Sequence, residues 1–520
     1  MTARRRVLYR NARVLGGGSC VATEDDRIVL VGDEDGAEGW LGAGDGAPDV
    51  VDLDGALVTP GFVDAHVHTV RTGFALTGLD LAGTASVTAT LDALTRHAAA
   101  SPGDGVLVGQ GWDETGWPEQ RPPTGDELER AAPGRRTYLT RVDGHSSVVS
   151  PALAALVPGL ASLDGWTSDG RVERDAHHAV RAVLEGLIGP DDRLAAARAA
   201  CAAFAAHGIT SFHENAAPHI GPEHELATVR QAAAEAGLHA VAYWGELMAV
   251  DTARRLGVRG LAGDLIADGA FGSRTAALAT PYDDRPGTCG HAYVSAAQVR
   301  DHVVACTEAG LQAGFHCIGD AALEAIGAGF AEAADRLGDD AVRRARHRLE
   351  HVEMPAPPVR ATLARLGVVA SVQPVFDALW GGPSGMYAAR LGERWQVTNP
   401  FRDLADAGVT LAFGSDSPVT PAGPWAAVRA ATTHHHPDQR LGVAAAITAH
   451  TRGGALAGHD DDASLLAPGH RADLAVWETP GGTTDDGLPD LGPDRPLPRL
   501  LRTVAAGHTI HTSPSTEDAA

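Results

Sequence analysis

Lysine does not occur in this chain; all 42 basic side chains are arginine. No Schiff base can therefore form on a lysine amine, and no carbamylated lysine can bridge two cations. Cysteine is also sparse. Cys20, Cys201, Cys289, Cys306 and Cys317 are scattered, odd in number and without CxxC spacing, so no disulfide framework is implied and a reducing setting is the expectation. No apolar run approaches the roughly 20 residues of a membrane-spanning helix. Residues 1–15 include arginines, but no apolar stretch and cleavage site follow them. Positive charge is the minority sign. Against 66 acidic residues it leaves a formal charge of −24, which argues against nucleic acid or an anionic membrane as partner. The expectation is a cytoplasmic chain that meets a small molecule. Its 520 residues are enough for one large domain and a smaller one.

The stretch that organises the chain is Val58-Thr59-Pro60-Gly61-Phe62-Val63-Asp64-Ala65-His66-Val67-His68. It reads as an apolar strand ending in two imidazoles one residue apart. Residues i and i+2 of a strand share a face, so His66 and His68 project together and can share a divalent cation. An HxH alone more often marks turn or surface histidines; the apolar run before it and further His and Asp residues at later strand ends strengthen the metal reading.

Residues 1–57 read as short strands (Val7–Tyr9, Arg27–Val31, Val50–Leu53) between Gly- and Asp-rich links. From Pro60 onward, apolar β-like pieces alternate with Ala-rich helical ones. Strands are expected at Tyr138–Val142, Ile209–Glu214, His239–Tyr243, Gln312–His316, Arg348–His351, Val368–Val372 and Thr410–Asp416, with helices over Leu194–His207 and Leu226–Ala236. About eight such units favour a closed (β/α)8 barrel, whose chemistry sits at the C-terminal ends of the strands. After about residue 460 the chain returns to short β pieces, Ala472–Trp477 and Leu501–Val504. The expected organisation is a small β-sandwich from 1–57 and 460–511, a barrel over 58–459 and a disordered tail over 512–520. Thr479–Pro498 reads as a loop.

The polar residues ending these strands are the candidates. His66 and His68 would ligate from the first strand, His316 from a middle one and Asp416 from the last. His351 would ligate a second metal or orient water and substrate. Such N/O donors suit zinc first, with iron and manganese open. A bound water would become hydroxide near neutral pH, and Asp416 would accept its proton and return it to a leaving nitrogen.

Taken together, the chain resembles the amidohydrolase superfamily in its YtcJ-like, family 3 branch. The resemblance rests on PGFVDAHVH (60–68), GQGWDETGWPE (109–119), VDGHSSVVS (142–150), GITSFHEN (208–215), LIADGAFGSRTAAL (265–278), GFHCIGDAAL (314–323), RLEHVEM (348–354), SVQPVF (371–376), GSDSPV (414–419) and APGHRADLAVWE (467–478). It spans nearly the whole chain and implies a barrel with a flanking β-sandwich, one or two divalent metals, and hydrolysis of an amide or formamide C–N bond. By motif, His66, His68, His316, His351 and Asp416 fall on ligand positions, and the segment from Ala267 to Ala276, which includes Asp268 and Arg274, falls on a pocket-shaping one. The chain departs from the pattern at Asp264, where relatives carry a lysine. Asp264 or Glu214 would then supply any further carboxylate, and a mononuclear site is favoured. Relatives often self-associate, so a homo-oligomer is a further expectation.

Other residues carry two readings. His145 is an oxyanion donor or a loop residue; Arg274 clamps a substrate or forms a structural ion pair. Trp112 and Trp117 wall a pocket or pack a core. Glu214 follows His213, so only one of the pair should reach a site. His434-His435-His436, His177-His178 and Asp460-Asp461-Asp462 read as solvated, and Cys317 as buried and inert. The activity expected is hydrolysis of an N-acyl or N-substituted formamide substrate. Deamination of a heterocycle and a catalytically silent scaffold are the competing readings.

Overall fold

The computed structural model describes residues 5–42, 47–101, 103–142, 144 and 146–514. The chain divides into two compact units. One comprises residues 1–67, 201–217 and 233–520; the other comprises 68–200 and 218–232.

The first unit contains an eight-stranded parallel sheet: seven strands fall where expected, and the eighth, Gly260–Leu261, is unanticipated. In chain order its strands are β1 (Phe62–Val67), β2 (Ile209–Ala216), β3 (His239–Trp244), β4 (Gly260–Leu261), β5 (Gln312–Cys317), β6 (Arg348–His351), β7 (Val369–Val372) and β8 (Leu411–Phe413). Each pairs with its successor. Closure comes just past β8, where Ser417 bridges Val67 in parallel and the Asp416 amide donates to the His66 carbonyl at 2.8 Å. Gly414 makes that approach possible, because a Cβ there would stand 2.6 Å from the His66 backbone nitrogen. Successive strand ends are thereby brought around one centre, as a parallel barrel requires.

Both ends of the chain contribute to the remaining sheets of this unit. Arg27–Gly32, Cys20–Glu24, Arg6–Arg10 and Asp49–Asp52 form a four-stranded sheet. Arg13–Val14, Leu57–Pro60, Leu474–Glu478, Arg499–Ala505 and His508–Thr512 form a five-stranded one. Val7, Tyr9, Val21, Ile28, Val58, Leu474, Val476 and Val504 pack as one core between them, so two apolar sheet faces cover each other. Thr512, expected in the tail, ends a strand, while residues 515–520 lie outside the described ones.

The second unit holds its own five-stranded sheet, in the order Arg171–Glu173, Ser146–Val149, Thr137–Arg141, Leu107–Trp112, Leu79–Asp80. This corrects one assignment. The stretch around Tyr138 is a strand, as its β-branched and aromatic residues predict, but it belongs to this sheet and not to the barrel. Strand propensity is local and does not choose a partner. The unit closes over two apolar clusters, one including Trp112, Trp117, Leu139 and Val148, the other including Tyr138, Val149, Leu153 and Val172.

Candidate metal centre

His66, on β1, is fully buried. Its Nε2 lies 3.4 Å from Asp264 Oδ1 and 3.4 Å from Asp416 Oδ1, and its Nδ1 lies 2.9 Å from Glu350 Oε2. Asp264 follows β4 and also approaches His316 Nδ1 of β5 at 3.8 Å. His351 ends β6, with its ring 5.2 Å from that of His66 and 4.5 Å from that of His316. His66, Asp264 and His351 each offer a ligand atom within 4.8 Å of the others. Five of the predicted residues from five strand ends, His66, Asp264, His316, His351 and Asp416, are thus brought together. His68, the first residue of the other unit, is buried just past the end of β1 and precedes the helix Thr69–Thr77.

The outer hydrogen bonds set which ring nitrogens can act as ligands. Nδ1 of His351 lies 2.8 Å from Gln373 Oε1, and Nε2 of His316 lies 3.3 Å from the Gly269 carbonyl. An acceptor at one nitrogen draws the proton there and leaves the lone pair on the other, the usual arrangement behind a metal-binding imidazole. On His66 and His316 that other nitrogen faces Asp264.

The backbone is strained where these groups meet. His351, Val352 and Asp416 have φ of 69°, 50° and 55°, in the left-handed region that non-glycine residues rarely occupy. For His351 the consequence is direct. Alternation along β6 would send Glu350 and His351 to opposite faces, yet the turned backbone lets both reach His66.

The electrostatics call for positive charge at this point. Burial opposes a charge on His66, but Asp416, Asp264 and the bond to Glu350 hold its pKa well above the usual histidine value. Burial likewise opposes a charge on His316, and Asp264 raises it. His351 is pushed down to about 4 by burial and by His316, which leaves a neutral imidazole. Converging carboxylates beside lone-pair nitrogens suit a divalent cation, and the donor set fits one.

Other predicted residues stand elsewhere. Glu214 is buried on the strand face opposite His213, which meets Arg348, and the charge of Glu214 bears on the Cys201 thiol. Among the described residues, neither group of side chains placed to share a metal ion includes Glu214. Asp268, expected at the substrate, is completely buried and accepts the backbone N–H groups of Ala277, Ile318 and Gly319 at 2.8–2.9 Å. It ties down the 268–277 loop. Arg274 is held bidentately by Asp284, its Nη2 and Nε donating at 2.7 and 3.0 Å, which makes the ion-pair reading the one its geometry supports. Trp112 is fully buried in the second unit, with its indole donating to the Leu139 carbonyl. His145 lies outside the described residues.

Three runs expected in solvent are so only in part: His178, His435, Asp461 and Asp462 are exposed, while His177 and His434 are buried and Asp460 is half-buried. His434 is 1% exposed near Asp377, and His435 approaches Asp377 at 3.1 Å. His177 is buried against the Tyr138 hydroxyl at 2.8 Å. Asp460, Asp461 and Asp462 pair with Arg471, Arg346 and Arg27 respectively. Distant arginines supply these partners, so a local reading of the acidic run could not reveal them.

Sequence reasoning missed Glu350, Arg348 and Gln373. Alternation on β6 does place Arg348 and Glu350 on one face, but no spacing signal links either to His66.

The whole site falls inside a family match. The amidohydrolase family model covers residues 49–511, and the chain belongs to that family. It is 26% identical to the putative amidohydrolase YtcJ of Bacillus subtilis, over 87% of this chain and 91% of that one. It is 25% identical to an N-substituted formamide deformylase of Arthrobacter pascens, over 92% and 94%. The fold matches an uncharacterised metal-dependent hydrolase of Pyrococcus horikoshii with a TM-score of 0.73 at 23% identity, covering 91% of this chain and 97% of that one. The chain is a hydrolase of metal-dependent type.

Proposed function

We propose that this hydrolase cleaves a non-peptide C–N bond, in an N-substituted formamide or related N-acyl substrate, at a single zinc ion. The observation that carries the reading is His66 at the C-terminal ends of the barrel strands, its Nε2 3.4 Å from both Asp264 Oδ1 and Asp416 Oδ1, with His66, Asp264 and His351 each offering a ligand atom within 4.8 Å of the others. His66, Asp264, His316, His351 and Asp416 would hold the cation, with His68 as a further donor two residues along the chain. When bound, it lowers the pKa of water towards about 7 and polarises a carbonyl. The similarity to a formamide deformylase supports the choice of bond.

The chain's own groups supply the remaining work. Asp416 takes a proton from the attacking water and returns it to the departing nitrogen, which would otherwise leave as an amide anion. His351, neutral and held by Gln373, serves as a lone-pair donor and not as an oxyanion donor. Burial of His66 and Glu350 excludes bulk water from the base of the site and strengthens its electrostatics.

The test is formate or acid release from a panel of N-substituted formamides and N-acyl amines, with zinc, manganese or iron supplied. Asp416→Asn should lower kcat by roughly 10²–10⁴-fold with the fold intact. No release from any panel member would sink the substrate class. Undiminished turnover by Asp416→Asn would remove that residue from proton transfer.

A further inference from the structure

Inside the barrel, below the converging ligands, lies a buried chain of three side chains, Arg348, Glu350 and His66, of which motif reading singles out only His66. Arg348 and Glu350 are both completely buried. The Arg348 Nε–H donates to Glu350 Oε1 at 2.6 Å and its Nη2 donates to Oε2 at 2.9 Å. Glu350 Oε2 is in turn 2.9 Å from His66 Nδ1. Arg348 is itself fixed from three directions: its Nη2 donates to the Ala65 carbonyl at 2.6 Å and to the Ser371 hydroxyl at 3.1 Å, and its Nη1 meets His213 Nδ1 at 2.8 Å. Its guanidinium also lies 4.4 Å above the Tyr243 ring.

A fully buried ion pair is expensive to desolvate and gives little net stability over an apolar pair of the same volume. The pair here has a specific consequence. A carboxylate only accepts, so the nitrogen of His66 facing it must carry a proton. The lone pair is thereby directed through Nε2 to the point 3.4 Å from both Asp264 and Asp416. The fork of Arg348 keeps the carboxylate from rotating away.

We propose that Glu350, clamped by Arg348, is a positioning residue that fixes the tautomer and orientation of His66 for metal binding. The proposal rests on the reading of this site as a metal centre. It makes β6 contribute twice, through His351 at the ligand cluster and through Glu350 behind it.

Glu350→Gln separates this role from simple packing. With its oxygen turned to Arg348, the new amide would present N–H to His66 Nδ1. The imidazole proton would then move to Nε2, on the side that must offer a lone pair. Turning the amide the other way sets its N–H against the Arg348 donors. Zinc binding by Glu350→Gln, measured by chelator competition, should weaken 10–100-fold, the usual cost of losing such a partner. Glu350→Asp, which keeps the acceptor, should recover part of the loss. A Glu350→Gln protein with a lowered Tm but wild-type zinc affinity would make Glu350 a fold-support residue and overturn the proposal.

Should the variants fail to fold, zinc-loaded wild-type protein labelled with ¹⁵N-histidine decides the matter. Its His66 should carry the proton on Nδ1, and a proton on Nε2 would overturn the proposal. Wild-type protein that binds neither zinc, manganese nor iron would remove the metal-centre reading as well. Unchanged affinity in Glu350→Gln removes only the role of Glu350.

Discussion

Asp264 and His66, 198 positions apart in the chain, meet with Oδ1 3.4 Å from Nε2. The same oxygen stands 3.8 Å from His316 Nδ1, so one carboxylate addresses two imidazoles. In a chain without lysine, this carboxylate occupies the position where the family resemblance leads one to expect a lysine. Wild-type protein should bind close to one equivalent of zinc per chain by elemental analysis. Asp264→Ala should weaken that binding at least tenfold while the melting temperature of the metal-free protein does not fall. Two tight equivalents in the wild type would mean that Asp264 bridges a pair of ions. Wild-type affinity in Asp264→Ala would make it a bystander.

Arg274 and Asp284 offer a test of a residue that the sequence places at the substrate. The side chains are paired bidentately and about a quarter exposed, and Arg390 joins them on Asp284. If the pair only pins its loop, Arg274→Ala and Asp284→Asn should each destabilise modestly, and the double variant little more than either alone. A double-mutant cycle in urea should return a coupling of about 1 kcal/mol. A large rise in KM for Arg274→Ala, with none for Asp284→Asn, would restore Arg274 as a substrate clamp.

Glu127 gives the second unit a readable pH dependence. It closes a capping box on the helix Gly125–Ala131: the Thr124 amide donates to its carboxylate, and its own amide donates to the Thr124 hydroxyl. The fork of Arg121 at 2.8 and 2.9 Å is the main reason its pKa falls to about 2. An unfolded glutamate titrates near about 4.3. The folded value is the lower one, so the stabilisation is fully present above the unfolded value and is lost as the pH falls towards 2. The Tm advantage of wild type over Glu127→Gln should therefore be constant from pH 7 to about 5 and shrink below that. An advantage that grows on acidification would contradict the assignment.

The sequence alone determined the repeating architecture and most of the residues that gather at the candidate metal centre. Apolar runs punctuated by Gly-capped, Ala-rich helices specify parallel strands, because backbone propensity and side-chain alternation act within a few residues. The helix expected at Leu194–His207 extends over Pro190–Ala206, and that expected at Leu226–Ala236 over Glu225–Glu235. His66, His316 and His351 were legible because each ends its own strand, and Gly-Ser-Asp at 414–416 marks the turn that carries Asp416.

What only the tertiary structure decided are relationships between distant positions. Glu350 reaches His66 across 284 positions, a partnership that no local pattern encodes. Glu214 and His213 are adjacent, and only closure of the barrel shows that His213 takes the inner face towards Arg348. The Tyr138 strand has the same apolar texture as a barrel strand and joins a different sheet, since pairing follows from the partners available and not from propensity. His434, polar and next to a proline-led turn, is buried because Asp377 and the Phe401 ring come to it from elsewhere in the chain. Short-range sterics and alternation fix which residues can point inward. Long-range closure, hydrogen-bond satisfaction and the φ of His351 fix which of them meet.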